Sequence, residues 1–386
     1  MSDIRERKEV ARTLLELGMA PIDYVLEPEV FGLAPEASLT AELNIPFPPE
    51  RTPRPRTIDP RPDPSDPLPP ADVVVVTWTV AELNALADVL TPRFARTAWY
   101  RYNRRFEEHY APLIREGAPA LKARRLGSYF VTEVGPTKVL CFKSELHLNQ
   151  DGIRSTTEPG TATLPVKDLF RQLVEETGAM VILTVGTSGG VSIDQSLGDV
   201  VVTRAAKFRL QDEFVNEVWN GKTYTSDWEL PTTWFAKAEE LMRRYADELR
   251  EPGFGPPTKR YEFDGPLLES RPLNNPMIHL ETRPVLTTDF FEFGTSGNNL
   301  GSEGCAVEMG DAVLGLLCEE LPNPPRWAIV RNISDPQINA DLPTAPRKIN
   351  MQTHWAVWYY EIYGYWTSVT GALATWAILA GLDSDG

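Results

Sequence analysis

The sequence predicts an α/β fold: a three-layer α/β/α domain around a central mixed sheet, with an N-terminal extension and one insertion. Two observations predict it. Apolar, β-branched runs alternate with segments of helical periodicity over most of the chain. The 386 residues, 42% hydrophobic and 24% charged, exceed one average domain but suit a single large α/β domain with a sizeable core.

In order, residues 4–18 read as an amphipathic helix, with Ile4, Val10, Leu14, Leu15 and Leu17 among charged positions. From Ile45 to Pro70 proline is dense; it removes donors and blocks helix, so this is an extended linker or an arm laid over a surface. Residues 1–70 are therefore set apart from a main domain at 71–386. Val73–Thr77 reads as a buried strand and Val80–Leu90 as a helix. Tyr129–Thr132 and Val139–Phe142 suggest a hairpin around Gly135-Pro136. Val166–Glu176 is helical, and Met180–Val185 and Asp199–Thr203 are strands. Residues 205–282 show few sheet signals and one helix, Pro231–Leu249, and read as an insertion. Alternation resumes with a strand at Val285–Thr288, a helix at Glu303–Glu319, a strand at Ala328–Ile333 and a C-terminal helix. Tyr363 to Leu382 carries no charge and has a membrane-spanning length. It also holds Gly364, Thr367, Ser368, Thr370, Gly371 and Thr375, and no basic anchor follows, so burial in the core or at a subunit interface is expected.

Charge and cysteine usage narrow the function. The net charge of -16 argues against nucleic acid and anionic lipid as partners, because the long-range field repels both. Cys141, Cys305 and Cys318 are odd in number and lack Cys-x-x-Cys spacing, so neither a disulfide framework nor a zinc knuckle is expected; a reducing cytoplasm is the default location. His109, His147, His279 and His354 lie far apart, and no metal or other cofactor is expected. The first residues are charged and no apolar signal core follows directly.

The most informative segment is Val181-Ile-Leu-Thr-Val-Gly-Thr-Ser-Gly-Gly190, followed by Leu197-Gly-Asp-Val-Val-Val202. An apolar run enters a small-residue turn, where a ligand approaches the backbone closely; Thr187, Ser188 and Gly189 are the expected contacts. Alone, such a turn is equally a mere tight turn. Val307-Glu-Met-Gly-Asp-Ala312 and Val330-Arg-Asn-Ile-Ser-Asp335 follow in the same order, each at an element boundary.

Together these segments resemble the nucleoside phosphorylase and nucleosidase superfamily, which breaks N-glycosidic bonds of nucleosides. The resemblance covers about residues 72–204 and 284–382 and implies a phosphorylase/hydrolase-like fold. It implies that Asp335, in the Arg-x-Ile-Ser-Asp arrangement, protonates the departing base, in the version associated with adenine-type bases; from the residues alone, Ser-Asp-Pro equally suits a helix N-cap. It implies that Glu82 activates water with help from Arg331, whereas an acid in a first helical turn also serves the dipole. The family's Glu-Met-Glu run, which holds the ribose, corresponds to Glu308-Met309-Gly310. Gly310 replaces the last glutamate, so Asp311 or Glu308 assumes its role or ribose binding weakens. Within Asp289-Phe-Phe-Glu-Phe293, Phe291 is the expected base-stacking residue and Glu292 supplies a backbone contact; core packing is the alternative for the phenylalanines.

The superfamily's phosphorylases hold phosphate with an arginine before the Gly-rich turn and a Pro-Gly-Asp-Pro-type loop after the first strand. Here those positions read Thr184 and Thr77-Trp-Thr-Val, so the resemblance favours the hydrolytic branch. Candidate phosphate ligands are Lys143, His147, Arg154, Arg204, Lys207 and Arg209, with solvated surface charge the alternative. The expected substrate is a purine nucleoside or nucleotide; similar domains also occur as effector nucleosidases of antiphage and immune proteins, and the extra arm and insertion, which have no counterpart in the resemblance, make this chain unlike a compact housekeeping nucleosidase. A phosphate-dependent phosphorylase and a non-catalytic nucleotide-binding or assembly protein are the alternatives. The resemblance implies a homodimer or higher homo-oligomer, because such sites are commonly completed across an interface.

Overall fold

The computed structural model describes residues 43–148, 152–153, 160–249, 275–340 and 351–382. The helix expected at 4–18 and the candidate ligand Arg154 lie outside them. The strands are β1 (Val73–Thr77), β2 (Tyr100–Tyr102), β3 (Gly127–Val134), β4 (Thr137–Ser144), β5 (Val181–Gly189), β6 (Val200–Thr203), β7 (Ala205–Phe208), β8 (Thr223–Thr225), β9 (Ile278–Glu281), β10 (Val285–Thr287), β11 (Ala306–Glu308) and β12 (Arg326–Asp335). The α-helices are α1 (Val80–Leu90), α2 (Pro119–Ala123), α3 (Pro165–Thr177), α4 (Phe235–Met242), α5 (Ala312–Glu320) and α6 (Met351–Gly381). Among the described residues all twelve strands belong to one mixed sheet, with the path β2-β3-β4-β1-β5-β11-β10-β7-β8 and a branch in which β12 pairs β5 and β6, and β6 pairs β9.

β1 lies at the centre, parallel to both β4 and β5. Its Val73-Val-Val-Val-Thr run is buried at every position, which is why it reads as a continuous apolar stretch rather than an alternating one. Helices flank the sheet in two groups, α1 with α6 and α3 with α5. The expected hairpin is the antiparallel β3–β4 pair, turned at Gly135 with φ 62°.

Two expectations change. Glu303–Glu319 is not one helix: Ala306–Glu308 forms β11, and α5 starts only at Ala312. Three residues, Ala-Val-Glu, carry no periodicity of their own, and pairing with β10 and β5 decides their state. The 205–282 region is not foreign to the sheet. β7 pairs parallel with β10, β8 follows it antiparallel, and β9 pairs parallel with β6. The helix expected at Pro231–Leu249 is α4 followed by a 3₁₀ segment over Arg243–Leu249. The proline-rich stretch wraps its own domain. Arg54 exchanges backbone hydrogen bonds with Glu133 of β3, the Arg56 amide donates to Val131 O, and the Leu68 amide donates to Glu176 (2.7 Å). Trp376 of α6 donates its indole N–H to Arg51 O (2.8 Å) and packs on Phe47 at 4.8 Å. That part of the aromatic C-terminal region thus finds its cover within the chain.

The C-terminal helix α6 packs on β12 and α1. A Cβ at Gly371 would lie 2.7 Å from Asn332 Oδ1, so this glycine permits the close approach. Among the described residues no helix is long and apolar enough to cross a membrane.

Candidate active site

The carboxyl ends of β1, β5, β11 and β12 converge on one cleft. Open α/β sheets place ligands there, because strand ends splay and loops carry side chains into the gap. β5 sits between β12 and β11: it runs parallel to β12, and its last residue, Gly189, pairs with Asp335 of β12 and antiparallel with Val307 of β11. A register shift between Ile333 and Asp335 bends the end of β12 at the same place. Lining the cleft are Glu82, Thr187, Ser188, Gly189, Phe291, Glu292, Glu308, Met309, Arg331 and Asp335, residues far apart in sequence.

Glu82 is both a capping residue and a cleft residue. Thr79 caps α1, and Glu82, three residues on, completes the reciprocal capping box. Glu82 Oε2 accepts from Thr77 Oγ1 (2.9 Å) and the amides of Trp78 (3.0 Å) and Thr79 (2.8 Å). Its Oε1 accepts from the Thr187 amide (2.8 Å) and hydroxyl (2.9 Å). Burial pushes the carboxyl pKa up, but the Arg331 charge and the amide donors outweigh it, and the net displacement is below 4.5. Glu82 therefore stands ionised. Gly186 makes the arrangement sterically possible, since a Cβ there would lie 2.4 Å from Arg331 Nη1 and 2.8 Å from Glu82 Oε1.

Arg331 is clamped from behind. Its Nε and Nη2 bind both Asp311 oxygens (2.7 and 2.6 Å), Nη2 also reaches Glu308 (3.2 Å), and Nη1 donates to Thr187 O (3.2 Å). Its guanidinium lies 5.1 Å from the Trp78 ring centre. Burial opposes the charge, but the Asp311 and Glu308 carboxylates more than offset it and hold Arg331 cationic. Asp311 itself is 0% exposed and spends both oxygens on Arg331, so it does not reach the cleft. The expected direct sugar contact from Asp311 gives way to a supporting role. Glu308 turns inward too, accepting from the Thr287 hydroxyl, the Gly310 amide (2.5 Å) and the Asp311 amide (3.0 Å). Burial and the neighbouring Asp311 charge raise its pKa.

Asp335 is the opposite case. Its Oδ1 accepts from Ser334 Oγ at 2.8 Å, while its buried Oδ2 has no hydrogen-bond partner among the described residues. Burial pushes its pKa up to about 7, with the Ser334 bond opposing. A Cβ at Gly189 would come within 2.9 Å of Oδ2, so the glycine leaves that oxygen room.

Phe291 is half-buried at the cleft wall, while Phe290 and Phe293 are core (3% and 0% exposed). Glu292 binds Arg209 (3.2 Å). The other candidate phosphate ligands are engaged elsewhere: Lys143 is buried against Glu145, Lys207 faces Glu303 and Arg204 donates to Trp228 O. His147 does line the cleft, as do Trp78, Thr79, Val307, Gly310, Ser334 and Tyr360. Of these, Trp78 and Tyr360 carried no sequence signal, since an aromatic beside a strand end or on a long apolar helix reads as core. Thr184, at the position of the phosphorylase arginine, is 0% exposed in mid-strand and outside this lining.

No family model and no curated protein matches the chain. Among solved structures it is similar to the 5′-methylthioadenosine/S-adenosylhomocysteine nucleosidase of Neisseria meningitidis in complex with methylthio-immucillin-A, at 13% identity and TM-score 0.43, covering 80% of this chain and 99% of that one. It is also similar to the S-adenosylhomocysteine nucleosidase of Streptococcus pyogenes in complex with 5-methylthiotubericidin (12%, TM-score 0.44, 82% and 98% covered). A third is the futalosine hydrolase of Helicobacter pylori (10%, TM-score 0.42, 79% and 96% covered). At these identities and TM-scores, the functional reading rests on the cleft's own geometry.

Proposed function

We propose that this cleft hydrolyses the N-glycosidic bond of a purine nucleoside or nucleotide and releases the free base, adenine being the base it suits. The observation that carries the reading is the pairing of Asp335 with Glu82. One buried carboxyl holds its proton near neutrality and has an uncommitted oxygen. The other, across β5, is ionised beside a guanidinium.

Departure of a purine leaves negative charge on the base and positive charge on the sugar. Asp335 donates a proton to the base as the bond lengthens, the work for which a carboxyl with a raised pKa is suited. Phe291 offers a face for the planar base. The sugar passes Met309 and Glu308, and its developing oxocarbenium charge is stabilised by the Glu82 carboxylate. With so many donors, Glu82 is a weak base. A strongly dissociative transition state asks little of it, because water needs orienting more than deprotonating until the cation has formed. Arg331 holds Glu82 ionised and Asp311 holds Arg331 in place.

Water rather than phosphate is the nucleophile in this reading. Among the described residues the one arginine lining the cleft is already bound to two carboxylates, and a phosphate dianion would meet Glu82. The test is base release by the purified protein from adenosine, methylthioadenosine, AMP, ATP and NAD, in phosphate-free buffer and again with phosphate, the sugar product identified by mass. Release without phosphate, giving a free hydroxyl at C1, is expected. Strict phosphate dependence with a 1-phosphorylated sugar would establish the phosphorylase, and no release from any substrate would leave a binding protein.

A further inference from the structure

Resting on the nucleosidase reading, we propose that the cleft does not read the 2′-hydroxyl of its sugar, so that 2′-deoxynucleosides are substrates at least on a par with ribonucleosides. The argument is an inventory of acceptors. A carboxylate offers about four lone-pair sites. Those of Glu308 receive the Thr287 hydroxyl, the Gly310 and Asp311 amides and Arg331. Both oxygens of Asp311 are bound to Arg331 behind the cleft, and those of Glu82 are filled by Thr77, Trp78, Thr79 and Thr187. The carboxylates of Glu308, Asp311 and Glu82 are thus committed to the protein and Glu292 binds Arg209, while the buried carboxylate oxygen of the cleft left without a partner among the described residues, Oδ2 of Asp335, is the one that serves the departing base.

Position 310 is where the wall could supply another acceptor, and it is glycine. A Cβ built there meets nothing nearer than Glu308 Oε2 at 3.7 Å and the Trp78 ring at 3.8 Å, so the space is open to a side chain and faces an indole. With the Met309 thioether beside it in the lining, this stretch of wall is apolar. A site built to hydrogen-bond a hydroxyl rejects the analogue that lacks it by a large factor, because its own polar groups are then stranded. An apolar wall has no such penalty and discriminates weakly.

The experiment compares kcat/KM for adenosine and 2′-deoxyadenosine in the wild type and in Gly310→Glu and Gly310→Gln, with melting curves to confirm folding. The wild type is expected to use the deoxynucleoside at least as well as the ribonucleoside. Gly310→Glu is expected to move the ratio towards adenosine by about tenfold or more, the worth of one charge-assisted hydrogen bond, and Gly310→Gln by less. Comparing ratios between variants cancels the greater intrinsic lability of deoxynucleosides. A wild-type preference for adenosine above about tenfold would overturn the inference and leave the nucleosidase reading standing. So would folded Gly310 variants whose ratio does not move. Absence of base release from every nucleoside, ribo or deoxy, overturns the inference together with the reading beneath it.

Discussion

Glu82 and Asp335 stand at the same edge of the sheet, on either side of β5, and each is only 4% exposed. Their proton affinities nevertheless move in opposite directions. Glu82 is surrounded by backbone amides, two threonine hydroxyls and a guanidinium, and its pKa falls. Asp335 has one serine hydroxyl and an orphaned oxygen, and its pKa rises to about 7. Burial penalises the ionised form at both sites, so the difference lies in the donors. A helix N-terminus with a capping box supplies them at Glu82, and a bulged strand end withholds them at Asp335. Two carboxyls pushed apart in this way make an acid and an anion available in one cleft at one pH.

Removing the acid is the most direct way to break the comparison. Asp335→Asn is expected to lower base release on the order of 10²–10⁴-fold while the protein stays folded. Near wild-type release would make Asp335 a structural residue only. Glu82→Gln, which keeps the shape but not the charge, is expected to cost about 10²-fold, read as kcat at saturating substrate. A pH–rate profile then sharpens the assignment. Activity should decline as pH rises through about 7, because Asp335 must hold its proton. It should persist in acid until Glu82, whose pKa lies below 4.5, is protonated. Phe291→Ala is expected to raise KM by about tenfold, from the loss of roughly 1–3 kcal/mol of stacking, with a smaller effect on kcat.

Stability should separate the two carboxyls with opposite sign. Asp335 has a folded pKa above its ordinary 3.8, so its favourable contribution is full below that value and is lost as pH rises through about 7. Asp335→Asn carries no such loss and should gain on the wild type at pH 8, by about 1–4 kcal/mol in urea unfolding. Glu82 has a lowered pKa, so its contribution is present above 4.5 and disappears as pH falls through the folded value. Glu82→Gln should therefore be destabilised at pH 8 and approach the wild type in acid. Parallel behaviour of the two variants would sink the comparison.

Much of the fold was legible because most of its strands are long or buried enough to leave a pattern. The Val73–Thr77 run, the β3–β4 hairpin and β12 all announce themselves in the residue order. The short strands β7, β8, β9 and β11 do not, for three or four residues hold no period and owe their state to the neighbour they pair with. At the site, the small-residue end of β5, the acid after β1 and the acidic and basic residues of β11 and β12 were visible as segments with chemistry at element boundaries. Trp78 and Tyr360 were not, because nothing local distinguishes an aromatic that faces a cleft from one that faces the core.

The sequence by itself determined the α/β alternation, the four segments that bring chemistry to the carboxyl edge, and the absence of a side chain at position 310. Only the tertiary structure decided how the charges are spent: Asp311 on Arg331, Glu308 on the Thr287 hydroxyl, two amides and Arg331, and Asp335 on a single serine hydroxyl. It also laid the proline-rich arm against β3 and Trp376 of the same chain. The physical reason is one of range. Periodicity and capping act over a few residues, whereas a carboxyl's partners and its burial depend on atoms brought within 3 Å from distant positions, as with Glu82 and Thr187, 105 residues apart.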